Sequence, residues 1–242
     1  MSSNMWDEPS EPPAPSGDLD LRIQRVAVAP TDDARAMRIL IETSRGEIQG
    51  MFHPVEVGTG AVVCVGGALG GIDGPADRLY ARLPAELEGN TVTVLRLEYR
   101  HPNQFEECVL DVLAGCSLLK GIGATAVILV GHSFGGAVVI KAGELSPIVR
   151  AVASLSTQLY GTREVESLGK PLLLVHGMED SVLEHAASED VYRRALEPKR
   201  LVLYADAGHS LIQAKEALTE LLVEWIPARL AGARMETGRN DE

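Results

Sequence analysis

Ser133 lies in Gly131-His132-Ser133-Phe134-Gly135-Gly136, directly after an apolar run over 126–130. A serine hydroxyl is a weak nucleophile at neutral pH and needs a neighbouring base. It must also be lifted clear of a sheet, which a sharp strand-to-helix turn does at the cost of backbone strain. Such a turn crowds the positions two before and two after the serine, and both are glycine here, Gly131 and Gly135. Gly136 lets the following helix pack closely. The start of that helix would aim free N–H groups, that of Phe134 among them, at a developing oxyanion. The plain alternative is a glycine-rich corner with an incidental serine, against which the flanking apolar run and helix-like segment weigh.

The base and the group that orients it must come from elsewhere in the chain. Of the six histidines, His53 and His101 read as ordinary polar residues and His185 as a solvated one. His176 follows a strand and suits structural hydrogen bonding. His132 neighbours the serine, but adjacent side chains on a tight turn diverge, so it packs beside the site. His209 follows the last apolar run and a short Ala-Gly, where a loop can swing its imidazole over Ser133. For the orienter, Leu172–Val182 ("LLLVHGMEDSV") offers Glu179 and Asp180, and Asp206 competes from the loop of His209 itself. Asp180 is favoured, because it arrives on a neighbouring strand; its plain reading is a helix N-cap. Val65–Gly71 ("VGGALGG") supplies backbone that can approach a ligand closely, with the N–H of Ala68 as second oxyanion donor and that of Leu69 next. No GK[ST] or GxGxxG accompanies those glycines, so a phosphate loop is disfavoured.

These residues all follow short, continuously apolar runs: "AVVCV", "TVTVLRLEY", "TAVILV", "RAVASL", "PLLLV" and "RLVLYA". Such runs suit strands buried on both faces. Helix-like stretches fall between most of them; Phe105, Cys108, Val109, Val112, Leu113 and Cys116 keep helical spacing, as do Leu211, Ala214, Leu218, Leu221, Leu222 and Trp225. Alternating strands and helices imply an α/β fold with a mainly parallel sheet, whose ligands bind at the carboxyl ends of its strands. Before them, "MRILIET" and "EIQGMFHPV" read as an antiparallel hairpin.

The chain has 242 residues, 45% of them hydrophobic, which is ample for one core. Residues 1–20 read as a disordered acidic, Pro-rich leader, 21–228 as a single domain and 229–242 as a flexible tail. The net charge of −12 argues against nucleic acid and against a basic membrane patch. Three cysteines without a CxxC pair give no zinc site or disulfide framework. Reduced thiols, no secretory signal and no membrane-length apolar run fit a cytoplasmic protein.

The order Ser, Asp, His with GxSxG after a strand resembles the α/β-hydrolases. "VHGMEDSV" is similar to that family's acid-bearing segment and "GHSL" to its histidine segment; "VCVGGALGG" is similar to its oxyanion segment, with Gly66 where many members have His. The resemblance spans roughly 35 to 228. It implies an α/β-hydrolase fold: a mainly parallel sheet, an antiparallel N-terminal hairpin and helices on both faces. "STQLYGTREVESLGK" is too short for a multi-helix cap, so the chain resembles the compact, dienelactone-hydrolase-like members and small esterases, with serine where those relatives often carry cysteine. The expectation is a serine hydrolase of small-molecule esters or thioesters. It uses Ser133, His209 and Asp180, oxyanion donors at Phe134 and Ala68, pocket walls from Leu69, Phe134, Leu159 and Tyr160, and no cofactor or metal. The rivals are acyl transfer or perhydrolysis on the same residues, and a non-catalytic ligand-binding protein that has kept the fold.

Overall fold

The computed structural model describes residues 20–237, and side chains as far as 231. The leader expected over 1–20 lies outside the described residues apart from Asp20.

Six strands form the parallel part of one sheet: β4 (Gly60–Val65), β5 (Val92–Glu98), β6 (Ala126–His132), β7 (Val149–Leu155), β8 (Leu172–Gly177) and β9 (Lys199–Tyr204). Three more, β1 (Ile23–Pro30), β2 (Met37–Thr43) and β3 (Gly46–His53), precede them as an antiparallel meander. The nine run in the order β1-β2-β3-β5-β4-β6-β7-β8-β9, with β3 antiparallel to β5. The expected hairpin is therefore a three-stranded unit. Its first strand, with its short "RVAVA" alternation, was not foreseen.

The continuous apolar runs follow from burial on both faces. Along β4 and β6, Val63, Val65, Val127 and Leu129 face one core. Val62, Cys64, Ile128 and Val130 face the other. Helices α2 (Phe105–Gly121), α3 (Phe134–Leu145) and α4 (Ala186–Arg194) close the first core. Helices α1 (Pro75–Glu86) and α5 (Lys215–Thr237) close the second, through Leu79, Leu83, Leu222 and Ile226. Helix α5 runs past Arg229 to Thr237, so the backbone over 229–237 is helical rather than the flexible tail expected there; 238–242 lie outside the described residues. The stretch between β7 and β8 carries only a short 3-10 turn, Val165–Leu168, and no cap. Among the described residues no helix is long and apolar enough to cross a membrane.

The strand order positions the site. From β4 the chain moves outward to β5 and then returns to the other side of β4 as β6. The loops after β4 and β6 thus diverge from adjacent strands, with Val65 beside Gly131. This reversal point is where open α/β sheets form their ligand crevice.

Candidate active site

Ser133 joins β6 to α3 with φ 59° and ψ −121°, a conformation that L-residues rarely adopt. The turn is held by Ser133 N–H to Leu155 O (2.8 Å) and Gly136 N–H to Ser133 O (2.9 Å). The glycines around it are obligatory. A Cβ on Gly131 would fall 2.1 Å from the carbonyl oxygen of Gly135, and one on Gly135 would fall 2.1 Å from that of Gly66. The same crowding explains Gly66, where a Cβ would meet the oxygen of Gly71 at 2.3 Å. The loop folds back onto this position and leaves no room for a side chain.

Three side chains from three strand ends form one line. The Ser133 hydroxyl donates to Nε2 of His209 over 3.1 Å, and Nδ1–H of His209 donates to Oδ2 of Asp180 over 2.7 Å. Asp180 follows β8, and His209 follows β9. The Asp180 side chain is fully buried. Its Oδ1 accepts the N–H groups of Val182 and Leu183, each at 2.8 Å. Burial alone would raise its pKa. The N–H groups of Leu183, His209 and Val182 outweigh that and hold it below the ordinary carboxylate value. The competing carboxylates Glu179 and Asp206 are exposed and make no hydrogen bond to His209 among the described residues.

The loop of His209 is braced from several sides. Its carbonyl accepts Nε2–H of His132 (2.9 Å) and the Ser156 hydroxyl (3.1 Å). Ser210 O accepts the N–H of Ala76 at 2.7 Å, and Ala207 O accepts that of Glu179 at 3.0 Å. His132 therefore hydrogen-bonds the backbone of His209 rather than Ser133, as its place on the turn suggested. Burial pushes its pKa down to about 4, so it is a neutral donor. His53 departs from the expectation of an ordinary polar residue: it is buried, accepts Nε–H of Arg96 at 3.2 Å, and is also pushed down to about 4 by burial.

On the other side of Ser133, Gly67 passes so close that a Cβ there would lie 3.5 Å from the serine Cβ. The turn it begins closes with Gly70 N–H to Gly67 O at 3.0 Å. Gly71 N–H donates to Glu98 Oε1 (2.8 Å), and Arg96 ties down Ile72 O and Asp73. Among the described residues the N–H groups of Ala68, next to Gly67, and of Phe134, next to Ser133, have no acceptor.

Of the four expected wall residues, Phe134 is buried in the core and Leu159 and Tyr160 share one groove. The Phe134 ring is buried edge-on between Tyr99 and Phe105, each 6.1 Å away, because the first turn of α3 directs it into the core. Leu69 is 97% exposed at the tip of its turn. Leu159 and Tyr160 line a groove of about 880 Å³ with Phe105, Ile140 and Lys141, but neither Ser133 nor His209 borders it. Ser133, Asp180 and His209 lie outside that groove, at the carboxyl ends of the strands. Sequence reasoning also left Ser156 unassigned; a serine directly after a strand was its only signal.

The sheet, the elbow and the strand-end loops define the α/β-hydrolase fold. Solved structures bear this out. Est1E from Butyrivibrio proteoclasticus is similar at 19% identity and a TM-score of 0.68, over 80% of this chain and 99% of that one. Dienelactone hydrolase from Anabaena variabilis is similar at 18% and 0.68, over 79% and 97%. An α/β serine hydrolase homologue from Coxiella burnetii is similar at 19% and 0.68, over 82% and 99%. No protein-family model matches the sequence, and no curated protein matches it.

Proposed function

We propose that the protein is a serine hydrolase of uncharged carboxylic esters. The observation that carries this is the unbroken line Ser133–His209–Asp180 over a strained turn; among the described residues the N–H groups of Phe134 and Ala68 have no acceptor. His209 Nε2 takes the hydroxyl proton as Ser133 Oγ adds to the ester carbonyl. The N–H groups of Phe134 and Ala68 bind the oxyanion that forms. Asp180 holds Nδ1–H in place and stabilises the imidazolium. The C–O bond to the alcohol breaks, and His209 gives its proton to the departing oxygen. Water, activated by the same histidine, then releases the acid and restores Ser133.

The rim favours neutral esters over thioesters of phosphate-bearing carriers. Leu69, Leu159, Tyr160, Met178, Val182 and Ile212 are exposed on the strand-end loops. Arg100 lies in the same set of loops but is buried against Glu107 and Asp111, and beside Leu159 and Tyr160 the cations Lys141, Arg163 and Arg194 are outnumbered by Glu106, Glu144, Glu164 and Asp190. A polyphosphate would need more positive charge than that.

A panel of nitrophenyl esters of rising acyl length tests the proposal. Turnover of at least one, falling by roughly 10⁴-fold or more in Ser133→Ala, is expected. Activity unchanged by that substitution would contradict it.

A further inference from the structure

The Asp180 carboxylate carries a donor that the proposed mechanism does not use. His176, the penultimate residue of β8, is fully buried. Its Nε2 lies 3.0 Å from Asp180 Oδ2, the oxygen that also receives His209, and 3.0 Å from Leu183 O. Its Nδ1 lies 2.7 Å from the hydroxyl of Ser188, a buried residue on α4. A carboxylate and a carbonyl are both acceptors, so Nε2 must carry the proton. Nδ1 is then the acceptor of the Ser188 hydroxyl. These contacts select one neutral tautomer, and burial, which lowers the His176 pKa, keeps it neutral.

We infer that His176 is a positioning residue: with its ring fixed by Ser188, it clamps Asp180 Oδ2 so that the carboxylate meets His209 Nδ1 in one orientation. The inference rests on the hydrolase proposed above. Each carboxylate oxygen has two N–H donors: Oδ1 from the loop backbone, Oδ2 from the two imidazoles. Without His176, Oδ2 keeps only His209, and the carboxylate can rock about its backbone-held oxygen. Because His176 is neutral, the negative charge of Asp180 remains available to the imidazolium that forms at His209. The hydrogen bonds form a continuous path from α4 to the nucleophile: Ser188, His176, Asp180, His209, Ser133.

The test pairs His176→Phe, which keeps a planar ring but loses the donor, with His176→Gln, whose amide N–H reaches the same place. Two quantities are read in the full chain: the rate of ester turnover per titrated Ser133, and the proton NMR resonance of His209 Nδ1–H, assigned by its loss in His209→Ala. Loss of a hydrogen bond to a charged group predicts a rate lower by about 10–100-fold in His176→Phe, with KM nearly unchanged and the Nδ1–H resonance displaced. His176→Gln should restore the resonance, and the rate to within about threefold. A folded His176→Phe with wild-type rate and resonance overturns the inference. So does a folded His176→Gln as impaired as His176→Phe. If His176→Phe does not fold, Ser188→Ala decides, with the same changes in smaller measure expected and no change contradicting. If wild-type protein turns over no ester, the hydrolase proposal fails, and the resonance alone then decides on His176.

Discussion

The two sides of Ser133 are built differently. Toward His209, side chains hold side chains: Asp180 accepts four N–H groups, His176 is pinned by Ser188, and the carbonyl of His209 is held by His132 and Ser156. Toward Ala68 there is mostly glycine backbone, packed tightly at Gly66 and tied from below by Glu98 and Arg96, and among the described residues the Ala68 N–H has no acceptor. The difference is the one that the proposed reaction requires. In that reaction the acid side moves a proton, which requires one tautomer and one orientation at rest. The oxyanion side meets a charge that exists only in the transition state, so its donors must be free beforehand.

The largest expected effect lies on the acid side. Asp180→Asn replaces an acceptor with a group that can donate toward His209 and His176, which favours the wrong tautomer. kcat/KM for the best nitrophenyl ester should fall by roughly 10³–10⁴-fold. A loss under about tenfold would mean that the carboxylate does not orient the base.

The oxyanion side should respond to loss of a backbone proton rather than a side chain. Ala68→Pro removes one N–H and should lower kcat by about 10²–10³-fold, whereas Ala68→Ser, which keeps it, should stay near wild type. Equal activity in both variants would move the donor elsewhere in the loop.

The smallest effect on rate, and a distinct effect on stability, is expected at His132. Its pKa is about 4 in the folded chain because burial disfavours the cation, and about 6.5 once unfolded. The unfolded chain therefore binds the extra proton between those values. The stability that neutral His132 supports is full above about pH 6.5 and is lost as pH falls toward 4, by at most about 1.4 kcal/mol per pH unit. His132→Gln keeps a donor for His209 O but cannot titrate. Unfolding free energies measured from pH 7 to 4.5 should slope less in this variant, with activity within a fewfold of wild type. An unchanged slope would show that His132 is already protonated or does not titrate in this window.

Much of this arrangement is legible in the sequence because it is local. Ser133, Asp180 and His209 each come soon after a continuously apolar strand, and a parallel sheet delivers all such positions to one edge. The elbow glycines announce themselves because no other residue fits. What stayed hidden depends on packing between distant segments. Ser188 meets His176 only because α4 folds over β8, and nothing in the local pattern of either residue reports it. Phe134 looks like a wall of the site until Tyr99 and Phe105 draw its ring into the core. Strand β1 escapes because, as an edge strand with exposed Val26 and Val28, it lacks the apolar run that marks the central strands.

The central claim is that Ser133 is an activated nucleophile. Intact-mass and peptide analysis after reaction with a fluorophosphonate tests it most directly. The arrangement predicts one adduct per chain, on Ser133, formed with release of fluoride. It should be absent in Ser133→Ala and strongly slowed in His209→Ala. A folded wild-type chain that takes up no label, or a Ser133→Ala chain labelled as fast as wild type, would contradict it.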